Sequence, residues 1–133
     1  MQDLNKDWKK RDKHIFGNVS TNYHQHGGCR SFEALTLEQL QYLIDNNFID
    51  LEDCQNSAPS VEEMFEFMKA HSDFVAHGYV VSPDRDDYRV SLEGLRYRGK
   101  KKVSVKLVAE FVSFCQGADA LEVDEKQLFS WWD

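Results

Sequence analysis

Apolar positions change their period part-way along this chain. From Leu37 to Ile44, and again from Val61 to Met68, they recur at the spacing of a helix face. Leu37, Leu40, Tyr42, Leu43 and Ile44 form the first face, and Val61, Met64, Phe65, Phe67 and Met68 the second. Both runs open on the same start signal. Thr36 stands three residues before Gln39, and Ser60 three before Glu63, so each pair is placed to form a capping box. The pattern predicts helices over 36–46 and 60–71. In the second, Glu62 and Glu63 lie in the first turn and Lys69 and His71 in the last, where each sign suits the helix dipole.

After Asp73 the period falls to two. Residues 74–82 and 88–93 read as strands around the turn Pro83-Asp84-Arg85-Asp86. Tyr88, Val90 and Leu92 share one face, then Leu95 and Tyr97 fall on the other parity. Gly94 sits at the slip and predicts a bulge there. Arg98-Gly99-Lys100 reads as the next hairpin turn. Val103, Val105, Leu107, Ala109 and Phe111 alternate with their neighbours, which predicts a third, long strand. A helix from Val105 to Cys115 competes, because Leu107, Phe111 and Phe114 also keep helical spacing. The β-branched content favours the strand. Residues 116–125 read as a loop and 127–132 as a short final strand. The expected class is α+β, with N-terminal helices packed on a C-terminal antiparallel meander of about four strands. Leu40, Leu43, Ile44, Val61, Phe65 and Met68 are expected to meet Val90, Leu92, Val105 and Leu107 in the core.

The first 30 residues stand apart from this pattern. A short polar helix is expected over 3–14, with Leu4, Trp8 and Arg11 on one side. Residues 17–28 read as a loop rich in Gly, Asn, Ser and Thr. The division is therefore a polar N-terminal segment, 1–30, of mobile or functional character, and a single α+β domain, 31–133. A length of 133 residues is ordinary for one domain. The start is charged and lacks the apolar run of a secretory leader, and no stretch approaches the ~18 apolar residues of a membrane span. Cys29, Cys54 and Cys115 are odd in number and unpatterned, which fits a reducing compartment. The expected location is cytoplasmic, with no membrane partner.

Net charge is −7 and unevenly spread. Residues 1–30 carry +3, 31–95 carry −11, 96–106 carry +6 and 107–133 carry −5. The overall acidity opposes polyanions, so nucleic acid is an unfavoured partner. The basic stretch, Arg96, Arg98, Lys100, Lys101, Lys102 and Lys106, reads first as a charged hairpin tip that discourages edge pairing.

Candidate chemistry is sparse. His24, His26 and Cys29 are metal-ligand types, and Cys29 with a histidine is a candidate nucleophile and base. Their spacing matches no standard zinc motif, so neither a metal nor another cofactor is expected. Asp84, Asp86 and Asp87 crowd one turn but lack the Gly and distal Glu of an EF-hand loop. In the pair Trp131-Trp132 the rings of a strand would point to opposite faces, which offers Trp132 as a surface anchor. The best-supported function is a non-catalytic protein-interaction module: an adaptor, an inhibitor or a neutraliser of a basic partner. Glu62, Glu63, Glu66, Asp84, Asp86, Asp87 and Trp132 are its expected contact residues. The alternative is a winged-helix-like nucleic-acid binder with 60–71 as recognition helix and 83–87 as wing tip, although both are acidic. A further alternative is a small metal- or thiol-dependent enzyme built on His24, His26 and Cys29.

Overall fold

The computed structural model describes residues 3–19 and 22–133. In chain order it contains α1 (Trp8–Phe16), a 3-10 turn (Tyr23–His26), β1 (Cys29–Leu35), α2 (Leu37–Asp45), α3 (Val61–Ala70), β2 (Phe74–Val81), β3 (Val90–Tyr97), α4 (Val105–Phe114), β4 (Ala120–Val123) and β5 (Leu128–Trp131). The strands form one antiparallel sheet in the order β1-β2-β3-β5-β4. This is the α+β class expected, helices mostly early and strands mostly late.

Both capping boxes form. Thr36 Oγ1 accepts from the Gln39 amide at 3.2 Å while Gln39 Oε1 accepts from the Thr36 amide at 2.9 Å. Ser60 and Glu63 repeat the arrangement at 3.1 and 3.0 Å. Each box satisfies amides that the first helical turn leaves without partners. The α2 and α3 faces then bury Leu40, Leu43, Val61, Met64, Phe65 and Met68. They meet Phe74, Ala76 and Val80 of β2, Val90, Leu92, Leu95 and Tyr97 of β3, and Leu128 of β5 in one core. The alternation along these strands puts that core on one face of the sheet. On the other face lie His77, Tyr79, Ser91, Arg96, Phe129 and Trp131.

The bulge falls where the parity slip placed it. His77 pairs with Gly94 and Gly78 with Leu92, so Glu93 is the extra residue. The bare Cα of Gly94 lets the His77 ring lie across β3. Its Nε2 reaches the Ser130 carbonyl oxygen at 2.7 Å, and its ring stacks on Phe129 at 4.9 Å.

Three expectations change. The stretch expected to be a long third strand is helix α4. Ser104 caps it, its Oγ accepting from the Leu107 amide at 3.1 Å. Leu107, Phe111 and Phe114 then face inward at helical spacing, with Phe111 stacked on Phe74 at 5.2 Å and Phe114 against Phe67 at 4.5 Å. Alternation in sequence was real but served no second face. Val105, expected in the core, is 88% exposed. The loop expected over 116–125 holds β4, paired along its length with β5. The sheet gains its fifth strand at the other edge, where Cys29–Leu35 pairs with β2.

The described part of the polar N-terminal segment is packed against this domain. Arg11 and Asp12 have no exposed surface. Arg11 Nε donates to Asp12 Oδ1 at 2.9 Å, its Nη1 to the Val81 carbonyl oxygen at 3.1 Å and its Nη2 to the Tyr23 hydroxyl at 3.0 Å. The Tyr23 hydroxyl donates in turn to Asp12 Oδ2. Burial and that bond push the Tyr23 hydroxyl far above its ordinary range. A charged pair so buried persists because every charged atom finds a partner.

Candidate protein-binding surface

The acidic residues singled out in sequence fall into two groups, and a third group joins them. The turn between β2 and β3 carries Asp84, Asp86 and Asp87, all exposed. It is held by two arginines. Arg85 Nε and Nη2 clamp the Asp87 carboxylate at 2.8 and 2.7 Å, and Arg89 Nη1 reaches it at 2.9 Å. The bond from Arg89, with that from Arg85, holds the Asp87 carboxyl below the usual carboxylate range. Arg85 also donates to the Gly27 carbonyl oxygen at 3.2 Å. A Cβ on Gly28, whose φ is +84°, would meet Arg85 Cδ at 2.7 Å, so glycine there suits both the turn and the arginine. Arg89 continues to the Tyr79 hydroxyl at 2.9 Å. The turn is thus fixed to the sheet, with one of its three carboxylates internally neutralised.

Beside it lies a cleft of about 200 Å³ lined by Leu4, Asp50, Asp53, Asp86, Asp87, Tyr88, Arg89 and Val90. The Tyr88 hydroxyl donates to the Asn5 carbonyl oxygen at 2.7 Å and brings the N-terminal strand of chain against it. Burial raises the Asp53 carboxyl above its ordinary value, against the pull of Arg89. Its lining has apolar walls from Leu4, Tyr88 and Val90, and a polar side of four carboxylates, one of them, Asp87, paired with the Arg89 guanidinium at 2.9 Å.

The 50–53 turn, which gives the cleft Asp50 and Asp53, ties it to α3. The Val61 amide donates to the Asp53 carbonyl oxygen at 2.9 Å, and the Glu62 amide to that of Leu51 at 3.0 Å. The first turn of α3 is therefore stacked on the 50–53 turn. Glu62, Glu63 and Glu66 are exposed and run from there along α3. They border an open groove with Phe67 and Phe114 at its floor. Glu66 is paired with Lys69 at 2.9 Å. Two acids that sequence reasoning passed over, Asp50 and Asp53, share the cleft with Asp86 and Asp87 and stand on the turn against which α3 begins. Their signal was present as the acidic run Asp50, Glu52, Asp53 just after α2.

The other candidates separate. Trp132 is fully buried and presents nothing to a partner, which corrects its place among the contact residues. Trp131 is the half-buried member of the pair, its Nε1 donating to Glu93 Oε2 at 3.2 Å. His24 and His26 are exposed on the 3-10 turn. Cys29 starts β1, with Arg85 Nη1 at 3.5 Å from its Sγ. Among the described residues no group of three or more His, Cys, Asp or Glu side chains converges to hold a metal ion. The basic stretch, expected to tip a hairpin, instead leads from β3 into α4. Arg96 lies over Phe129 at 4.8 Å and Lys102 pairs with Glu125 at 3.7 Å. Among the described residues no helix is long and apolar enough to cross a membrane. Compared with models of known protein families, with characterised proteins and with solved structures, the chain matches none.

Proposed function

We propose that this protein is a non-catalytic interaction module whose acidic side receives a basic protein partner. The observation that carries the reading is the stacking of the first turn of α3 on the 50–53 turn. It supports one continuous field from Glu62, Glu63 and Glu66 through Asp50 and Asp53 to Asp86. Clustered charge of one sign accelerates encounter with the opposite sign and repels its own. Within that field the Asp-lined cleft suits one long cationic side chain. The methylenes of a lysine or arginine would lie along Leu4, Tyr88 and Val90, with the head at Asp50, Asp53 and Asp86, the Arg89 guanidinium of the same cleft being taken up by Asp87. The same charges would oppose a phosphate backbone.

The test is a titration with a short lysine- and arginine-rich peptide, followed by calorimetry, for the native protein and for a D53N/D86N double variant. A loss of about tenfold or more in affinity is expected, that is, about 1.4 kcal/mol or more. Equal affinity for both proteins, or tighter binding of a DNA or RNA oligonucleotide than of the peptide, contradicts the reading.

A further inference from the structure

Helices α3 and α4 lie side by side and run in opposite directions. The Phe67 and Phe114 ring centroids are 4.5 Å apart. One turn further along α3 and one turn back along α4, His71 Nε2 meets Glu110 Oε2 at 2.8 Å. Two open depressions of about 530 Å³ each follow the seam between the helices. They share the half-buried rings of Phe67 and Phe114. His71, Ala109, Glu110 and Ser113 complete one lining. Ser60, Glu62, Glu63 and Glu66 complete the other. The seam is therefore a groove with an aromatic middle and polar ends.

The groove is acidic, and unevenly so. Four carboxylates line it, against the single imidazole of His71. Glu110 holds that imidazole, and Glu66 holds Lys69 at 2.9 Å. Lys69 itself lines neither depression, and its Nζ sits over the Phe65 ring at 4.8 Å. Lys106, one turn before Glu110, lines neither as well. Glu62 and Glu63 form no ion pair among the described residues. The excess negative charge therefore stands at the end where α3 begins.

On the reading that the acidic residues receive a basic partner, we propose that this groove is the docking site for an amphipathic helix of that partner. Its apolar stripe lies over Phe67 and Phe114, and its lysine or arginine side chains reach Glu62 and Glu63. The walls select a helix. α3 and α4 use their backbone N–H and C=O groups internally, so an extended segment finds no row to pair with, whereas a helix satisfies its own. From Ser60 to His71 the groove is about 16 Å long, which accommodates about three helical turns. The two depressions flank the Phe67–Phe114 pair, so apolar side chains at i and i+4, or i and i+7, enter one each.

Two synthetic peptides of identical leucine and lysine content test it. One spaces its leucines along a helical stripe, and the other scrambles them so that no stripe forms. In calorimetry with the full chain at ~0.15 M salt, the striped peptide should bind about tenfold or more tighter than the scrambled one. It should also gain helicity on binding, read by difference circular dichroism. Ala109 and Ser113 are exposed, so Ala109→Arg and, separately, Ser113→Arg should keep the fold. Each adds bulk and positive charge to the groove and should weaken the striped peptide about tenfold. Leu121→Arg on β4 adds the same charge elsewhere and should leave the affinity unchanged. Equal affinity for the two peptides, or an affinity that neither groove substitution changes, overturns the helix groove and leaves the acidic reading standing. Binding of neither peptide overturns both. A native dimer that Ser113→Arg dissociates also overturns the proposal, by giving the groove to a second copy.

Discussion

A Cβ built on Gly94 would lie 1.9 Å from the Ser130 carbonyl oxygen and 2.6 Å from Nε2 of His77. Both atoms belong to the seam that joins β3 to β5, where Arg96 pairs with Phe129. Gly94→Ala should therefore cost about 1–3 kcal/mol or more by overpacking, measured as a lower urea midpoint. His77 makes the seam sensitive to acid. Burial holds its imidazole below the ordinary value of 6.5, though the Ser130 carbonyl and Glu93 pull the other way. The unfolded chain then binds more protons than the folded one below that pH, so stability falls as pH drops through about 6.5. Denaturation midpoints at about pH 7.5 and 5.5 should separate, and His77→Gln should reduce the separation. Arg11 carries a different kind of burden. Arg11→Met leaves Asp12 charged and buried without its partner and is expected to cost about 3–5 kcal/mol. A short helix carrying Trp8 and Arg11 was legible, but it begins at Trp8 and not at residue 3, so Leu4 lies outside it. The burial of Arg11 was not legible, because the partners Tyr23 and Val81 come from distant parts of the chain.

Elements whose start signal and apolar face agree were legible as they stand. α2 and α3 begin within one residue of their caps, and β2 and β3 fall where the period-two runs lie. α4 had both signals in conflict. Its valines favour a strand by intrinsic preference, and only Leu107, Phe111 and Phe114 record the packing that made it a helix. Ser104 decides its start, so Ser104→Ala should cost about 1 kcal/mol, read from thermal unfolding. β1 and β4 were missed for a common reason. They are edge strands with little to bury: β1 buries Phe32 and Leu35, and no β4 residue is fully buried. Weak alternation is what an edge leaves in a sequence. β5 was found because Leu128 and Ser130 are buried within it.

Acidic groups of the 50–53 turn and the β2–β3 turn share one cleft and those of α3 line the groove beside Phe67 and Phe114, while exposed valines and Leu121 lie on α4 and β4. The charge imbalance of 31–95 was legible, and so were Glu62, Glu63, Glu66, Asp84, Asp86 and Asp87 as exposed acids. The joining of helix and turn was not, because it depends on backbone bonds from Val61 and Glu62 to Asp53 and Leu51. Asp53 adds a pH signature to the proposed binding. Burial raises its carboxyl, so it loses its charge at a higher pH than an ordinary aspartate. Affinity for a basic peptide should therefore weaken as the pH falls towards the carboxylate range, and Asp53→Asn should reduce that dependence.

The most direct measurement is the association rate of a lysine- and arginine-rich peptide with the native protein and with the triple reversal E62K/E63K/E66K, at low and high salt. These side chains lie off the buried face of α3, so the fold should survive, as circular dichroism would report. The account predicts that the reversal slows association by about tenfold or more at low salt and that the difference shrinks at high salt. An association rate indifferent both to salt and to the three reversals would contradict it.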